Sequence, residues 1–164
     1  MNTTFERTRG SDEWYTPRWI IDALVRGGVK FDTDPCAPMV KPYEIAGLTY
    51  NKQQNGLDKE WVGNVWLNPP YSHPLIEKFV MRLAAHGNGI LLTFDRCDNG
   101  LWQKVIFPSA DGVFFMKGRV KFVDESGEMK AGAGCGSVLV AFGQKNVNGI
   151  INSGIEGTML YVRR

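Results

Sequence analysis

The stretch VWLNPPY, residues 65–71, decides how this chain is interpreted, because it joins an apolar run directly to a rigid polar corner. Its first three residues are apolar and predict a short buried strand. Each of the two prolines fixes its own φ and keeps the residue before it out of the helical region. Asn68 is therefore expected to be extended at the carboxyl end of a strand, where α/β folds place their ligand sites.

This corner carries the groups needed to act on a planar amino nitrogen. Such a nitrogen is a weak nucleophile because its lone pair is delocalised into the ring, and two acceptors aimed at its protons return density to it. The side-chain oxygen of Asn68 and the peptide oxygen of Pro69 are acceptors that need no change of protonation at neutral pH. A tyrosine ring can stack on a base taken out of a duplex. We therefore predict four catalytic residues: Asn68, Pro69, Pro70 and Tyr71. The alternative is that Pro-Pro only separates a strand from a helix that Ser72 caps.

Strand and helix patterns alternate along most of the chain. The predicted strands are 29–34, 45–50, 65–67, 89–94, 112–116, 119–123 and 137–142, and the predicted helices begin at Thr16 or Pro17, at Leu75 and at Trp102. Residues 159–162 fit either an extra strand or a partner contact. The alternation predicts an α/β fold, a three-layer sandwich on a mostly parallel sheet with an antiparallel C-terminal edge.

Size and composition favour one compact domain. The chain has 164 residues, 43% of them hydrophobic, and a formal net charge of +2, so affinity for nucleic acid would need a local basic patch. We predict that residues 1–11 form a flexible arm and that residues 12–164 form a single domain. Three widely spaced cysteines form no metal-binding motif, and no apolar run approaches the ~20 residues of a membrane span. We expect reduced thiols, no structural metal, no membrane association and a cytoplasmic location.

A nucleophilic nitrogen held by Asn68 requires an electrophilic methyl group beside it, and the usual donor is the sulfonium compound S-adenosylmethionine. Asp34, at the end of a predicted strand, can bind the donor's ammonium group. Trp14 or Tyr15 can face its cation. Asp58 can accept a hydrogen bond from its adenine amine or its ribose. The alternatives are that the aspartates cap local turns and that Trp14 belongs to the core.

Four short segments give the chain a resemblance to a known family. They are DEWYTP at 12–17, DPCA at 34–37, NPPY at 68–71 and GRVKF at 118–122. In this order they resemble the phage-type DNA N6-adenine methyltransferase (Dam) family, over about residues 12–143. The resemblance implies a Rossmann-like fold that uses S-adenosylmethionine. Only 34 positions separate Asp34 from Asn68, so we expect no separate target-recognition domain.

The resemblance also implies roles for individual residues. The donor would be bound by Trp14, Tyr15, Thr16, Pro17, Asp34 and Pro35. The target adenine would be held by the residues from Asn68 to Tyr71, and the groove for the target strand would be shaped by Gly118, Arg119 and Phe122. Lys117 and Lys121 would extend this segment into a basic surface for phosphate contact, although such charges are common on solvated hairpins.

The donor segment departs from the wider methyltransferase pattern, because Pro35-Cys36-Ala37-Pro38 stands where Gly-x-Gly is common. Its Pro-Cys pair is similar to the catalytic loop of cytosine C5 methyltransferases, but it follows the first strand, so no covalent role is expected for Cys36. We predict an S-adenosylmethionine-dependent methyltransferase that acts on the N6 amine of adenine in DNA. The alternatives are methylation of an RNA adenine, a cytosine N4 amine or a protein glutamine, and a degenerate relative that only binds DNA.

Overall fold

A seven-stranded mixed sheet organises the part of the chain that the computed structural model describes, residues 15–124, 126–129 and 134–162. The strands are β1 (Thr33–Asp34), β2 (Leu48–Thr49), β3 (Val65–Leu67), β4 (Gly89–Phe94), β5 (Gly112–Met116), β6 (Ser137–Phe142) and β7 (Gly157–Tyr161). The helices within these ranges are α1 (Arg18–Arg26), α2 (Leu75–His86), α3 (Phe107–Ser109) and α4 (Gln144–Asn152). A π-helical segment, Trp102–Ile106, leads into α3, and Gly56–Asp58 forms a 3₁₀ turn.

The strand order is β2-β1-β3-β4-β6-β5-β7. The pairings among β2, β1, β3 and β4 are parallel, whereas β6 pairs antiparallel with β4 and β5, and β7 pairs antiparallel with β5. The expected parallel sheet is therefore confirmed for one half, and the antiparallel part extends further than an edge. Because β1, β3, β4 and β5 all point the same way, the residues that follow them meet at one edge of the sheet.

Helices cover both faces of this sheet because its central strands are apolar on both sides. In β4, Ile90 and Leu92 pack in the cluster that contains buried residues of α1 and α4. Leu91, between them, packs in the cluster that contains buried residues of α2 and the π-helical segment. The uninterrupted apolar run of β4 is thus explained by burial on two faces. No helix among the described residues has the length and apolarity needed to cross a bilayer.

Helix α1 follows the predicted pattern closely. Pro17 is its N-cap residue, Ile20, Ile21 and Leu24 form its buried stripe, and Gly27 ends it. Proline fits this start because the first backbone N–H groups of a helix have no partner within the helix. The helix therefore leaves the edge of the sheet at the segment Tyr15–Thr16, which is buried.

Three predicted strands differ from the structure, and the one over 45–50 is paired only at Leu48–Thr49, which is β2. Residues 119–123 do not form a strand: Val120 and Phe122 are buried, but ladder contacts are limited to isolated bridges of Val123 with Tyr15 and Met129. The strand predicted over 29–34 is paired only over its last two residues. Over 29–34 and 119–123 the alternation of buried and exposed residues gave the pattern of a strand, and alternation reports burial rather than hydrogen-bonded pairing.

Helix α4 was not predicted, because its sequence contains three asparagines and a glycine, which are poor helix formers. Its packing explains its presence. A Cβ atom at Gly149 would lie 2.2 Å from a side-chain carbon of Val29, so the glycine permits close approach. Val147 and Ile150 are buried in the same cluster as α1. Residues 159–162, left open between two interpretations, contribute to strand β7.

Candidate active site

A cavity of about 380 Å³ opens at the edge of the sheet where β1 and β3 end. Six of the residues predicted for the site line it: Tyr15, Thr16, Asp34, Pro35, Asn68 and Pro70. Parallel strands bring this set together, because Thr33 of β1 pairs with Val65 of β3. The sheet therefore places the residue proposed to bind the donor beside the residue proposed to hold the target.

The side-chain amide of Asn68 is held from both sides. Its Nδ2 donates to the hydroxyl of Thr16 over 3.2 Å, and its Oδ1 accepts from the hydroxyl of Tyr71 over 3.0 Å. The two bonds together hold the plane of the amide in place. Asn68 therefore presents a positioned amide at the wall of the cavity.

Tyr71 is placed differently from the expectation that its ring forms an open stacking platform. Its ring stacks on Phe94 with centroids 4.4 Å apart, and it does not border the cavity. Its hydroxyl also lies 3.2 Å from the carbonyl oxygen of Leu92. Burial raises the pKa of Tyr71 above its usual range, so the phenol stays neutral and can donate. In this structure Tyr71 orients Asn68 through its hydroxyl.

Asp34 is a buried carboxyl group in the cavity wall. It is 4% exposed, and burial raises its pKa from 3.8 to about 7, although the backbone N–H of Cys36 and the charge of Lys41 lower it. The N–H of Cys36 donates to Oδ1 of Asp34 over 3.1 Å. A buried carboxylate favours a cationic ligand, because the ligand's charge offsets the cost of burial.

The far wall of the cavity is the 3₁₀ turn at Gly56. A Cβ atom at this position would lie 2.1 Å from the carbonyl oxygen of Pro35, so glycine is required for the turn to close against the donor segment. The indole N–H of Trp61 donates to the Gly56 carbonyl over 2.8 Å. Arg82 of α2 donates to the carbonyls of Leu57 and Lys59. Helix α2 thus fixes one side of the cavity.

Besides Tyr71, three residues predicted for the catalytic and donor sites lie outside the cavity lining. Asp58 is exposed and accepts a hydrogen bond from the side chain of Asn55 over 2.5 Å, at the turn that borders the cavity. Pro17 is buried as the N-cap residue of α1, and Pro69 is buried behind the corner. Trp14, also predicted to bind the donor, is outside the described residues.

Known proteins are similar to this chain over most of its length. The family model described as DNA N-6-adenine-methyltransferase (Dam) matches residues 3–157. This chain belongs to the Dam family. The "DNA N-6-adenine-methyltransferase" of Haemophilus phage HP1 (strain HP1c1) is 29% identical to this Dam-family chain over 160 residues, covering 92% of this chain and 90% of the relative. The protein of the same name from Escherichia phage T1 is 29% identical over 147 residues, covering 78% of this chain and 61% of the relative. No solved structure matches the chain.

The basic segment of this Dam-family chain follows β5 and lies at the same edge of the sheet as Asn68. Lys117, Arg119 and Lys121 are exposed, and Lys117 pairs with Glu156 over 2.6 Å. Phe122, predicted to contact DNA, is instead fully buried and meets the ring of Phe94 edge-on at 6.3 Å. Its side chain supports the aromatic group next to Tyr71 and offers no surface to DNA.

Several residues of the Dam-family cavity were not predicted from the sequence. Trp66 lines the cavity from the middle of β3. It lies two residues before Asn68 and therefore on the same face of the strand, so the spacing in the sequence could have predicted its place in the cavity. Tyr43 comes from the proline-rich stretch between β1 and β2, which had no regular pattern. Cys36 also lines the cavity, and burial, together with the charge of Asp34, raises its thiol pKa well above the usual range. A neutral thiol fits the absence of a nucleophilic role.

Among the described residues, no group of three or more His, Cys, Asp or Glu side chains is arranged to hold a metal ion.

Proposed function

We propose that this protein transfers a methyl group from S-adenosylmethionine to the N6 amine of adenine in DNA, on a Rossmann-like three-layer scaffold. The observation that carries the proposal is the fixed amide of Asn68 on the wall of a cavity that also contains the buried carboxyl of Asp34. Membership of the Dam family, and two phage relatives named as DNA N-6-adenine-methyltransferases, support the same reaction.

The cavity fits a donor of this kind. Its volume of about 380 Å³ falls within the usual range for small-molecule sites. Asp34 would hold the ammonium group, since pairing with a cation stabilises its charged form. When bound, S-adenosylmethionine supplies an electrophilic methyl group on a sulfonium. The aromatic lining from Tyr15, Tyr43 and Trp66 suits both the adenine ring and the positive charge.

The chain's own residues would align and activate the amine. Asn68 Oδ1 would accept a hydrogen bond from the N6 amine, and the Pro69 carbonyl would accept the second. Thr16 and Tyr71 would keep the amide from rotating. These acceptors hold the nitrogen lone pair toward the methyl group, and such alignment converts a bimolecular step into an effectively unimolecular one. Neither acceptor has to change protonation state.

On the DNA side, we propose that Lys117, Arg119 and Lys121 contact phosphates beside the target base. Their segment leaves the sheet at the edge that holds Asn68, and their side chains reach solvent. Phosphate contacts position a protein on DNA without reading sequence. Since both named relatives are phage proteins, we place this activity in the cytoplasm of a bacterial host.

Mass spectrometry of digested substrates, after incubation with methyl-labelled S-adenosylmethionine, tests the function. Double-stranded DNA, single-stranded DNA, RNA and a protein mixture would be treated in parallel. The proposal expects labelled N6-methyladenine in DNA. Label confined to RNA, to cytosine or to glutamine would assign another substrate to the same corner. Absence of label in all four, with a folded protein, would indicate a degenerate relative.

A further inference from the structure

A second concave surface lies beside α1, at the edge of the sheet where β5 ends, and we call it the α1 groove. Its volume is about 470 Å³, and its walls are Trp19, Ala23 and Arg26 of α1, residues 116–120 and residues 153–156. The three α1 residues recur at helical spacing and share one face of the helix. No described residue lines both this groove and the cavity that contains Asn68, so the two are separate.

The walls of the α1 groove are tied to one another. The backbone N–H of Lys117 donates to the carbonyl of Glu156 over 2.9 Å, and the two side chains form an ion pair. At the end of α1, a Cβ atom at Gly27 would lie 2.9 Å from the backbone nitrogen of Ser153, so the helix packs closely on the residues that follow α4. The groove is therefore a formed surface between packed segments.

The α1 groove combines an exposed aromatic ring with basic side chains. Trp19 is 50% exposed, although tryptophan is highly buried on average. Arg26, Lys117 and Arg119 line the groove and are exposed, and Glu156 is the acidic residue of the lining. Because Glu156 pairs with Lys117, positive charge prevails. Proteins that hold unpaired nucleotides use this combination, in which the ring stacks on a base and the cations face the backbone.

The α1 groove lies close to the path of a DNA strand that enters the active site. Trp19 comes three residues after Thr16, whose hydroxyl contacts Asn68, so about one turn of chain separates groove and cavity. Across the sheet, β5 is the third strand from β3, a distance of about 14 Å at the usual strand spacing. A stacked strand covers this distance in about four nucleotides.

We propose that the α1 groove binds one unpaired nucleotide of the DNA strand that carries the target adenine, within about four positions of it. Its base would stack on Trp19, and its phosphates would face Arg26 and Arg119. A base has a face to offer only when it has left the duplex stack. A second copy of the chain is a poorer occupant, because a two-fold contact would bring the same arginines of both copies together. The inference rests on the proposed function for its partner, DNA.

Fluorescence anisotropy with two labelled single strands tests the proposal. One probe is an oligothymidine, and the other is an abasic strand of the same length and charge. Trp19→Ala should weaken binding of the oligothymidine by about fivefold to a hundredfold, as for loss of one stacked base, and leave binding of the abasic strand unchanged. The control is Tyr161→Ala, which removes an aromatic ring that is 64% exposed on β7 and outside the groove lining, and it should change neither.

Arg26→Gln tests the phosphate contact separately. It should weaken binding of both probes alike and reduce the slope of log affinity against log salt by about 0.7, as for one phosphate of a single strand. An unchanged slope would remove Arg26 from the proposed contact. If Trp19→Ala does not fold, Trp19→Leu takes its place, because leucine keeps an apolar side chain but has no ring.

Three results would overturn the inference while leaving the proposed function intact. They are equal weakening of both probes by the Trp19 variant, no weakening of either, and a wild-type dimer in sedimentation that the variant converts to a monomer. Each would be obtained with a wild-type protein that methylates DNA. A folded wild-type protein that neither binds nor methylates DNA would instead count against the proposed function, and the inference would fall with it.

Discussion

Replacing Asp34 with asparagine should make the ligand-free protein more stable and its donor binding weaker. Burial raises the pKa of Asp34 from 3.8 to about 7, so the folded protein holds this proton more tightly than the unfolded chain. The free energy of unfolding of the wild type should therefore decrease as the pH rises from about 4 to about 7, and remain lower above that range. At 1.36 kcal/mol for each pH unit, the full effect is on the order of 4 kcal/mol.

Asparagine has nearly the same shape, and its side-chain oxygen can still accept from the N–H of Cys36. Asp34→Asn should therefore lack this pH dependence, exceed the wild type in stability at pH 8, and match it near pH 4. Urea unfolding at several pH values measures the difference. If the free energy of unfolding varied with pH in the same way for the wild type and Asp34→Asn between pH 5 and pH 8, the reasoning would be refuted.

Donor affinity should show the opposite trend with pH. Only the ionised carboxylate of Asp34 attracts the donor's ammonium group, and at pH 6 about one molecule in ten is ionised. The dissociation constant of S-adenosylhomocysteine should rise about tenfold from pH 8 to pH 6 in the wild type. For Asp34→Asn it should be high at both pH values. A wild-type constant that does not vary with pH would remove Asp34 from ammonium binding.

Two further substitutions test the corner and the basic segment. Thr16→Val should lower kcat about three- to tenfold through loss of the bond to Asn68, with donor affinity within about twofold, and Thr16→Ser should restore kcat. If Thr16→Val raised only the KM for S-adenosylmethionine, Thr16 would be a contact of the donor and would not act through Asn68. Lys121→Gln should raise KM for DNA and reduce the slope of log affinity against log salt by about 1. The control is Lys30→Gln, which replaces an exposed lysine that precedes β1 and should change neither the KM for DNA nor the salt slope. If Lys30→Gln and Lys121→Gln give identical results, Lys121 does not belong to the DNA surface.

Local patterns in the sequence were sufficient for the central strands. The spans 65–67, 89–94, 112–116 and 137–142 agree with β3 to β6, because these strands are buried on both faces and read as apolar runs. The sequence did not reveal α4, whose helix depends on the close contact of Gly149 with Val29. Intrinsic propensity is a weak guide where tertiary packing decides.

The site was predictable where a residue follows a strand directly. Asp34 and Asn68 were expected at neighbouring strand ends, and the parallel pairing brings both to one cavity. Asp58 lies outside the cavity lining, and a carboxylate near a turn in sequence gives no information on which way it points. The contribution of Tyr43 depends on how an irregular segment folds over the cavity, and no local pattern encodes that path.

The most direct test of the account is the single-turnover rate of methyl transfer to DNA by Asn68→Ala, measured beside its donor affinity. Loss of one acceptor aimed at the reacting amine should reduce the rate by about a hundredfold to a thousandfold. The dissociation constant of S-adenosylhomocysteine should stay within about twofold of the wild-type value. A near-normal rate, or a loss of donor affinity as large as the loss of rate, would contradict the claim that Asn68 acts on the target amine.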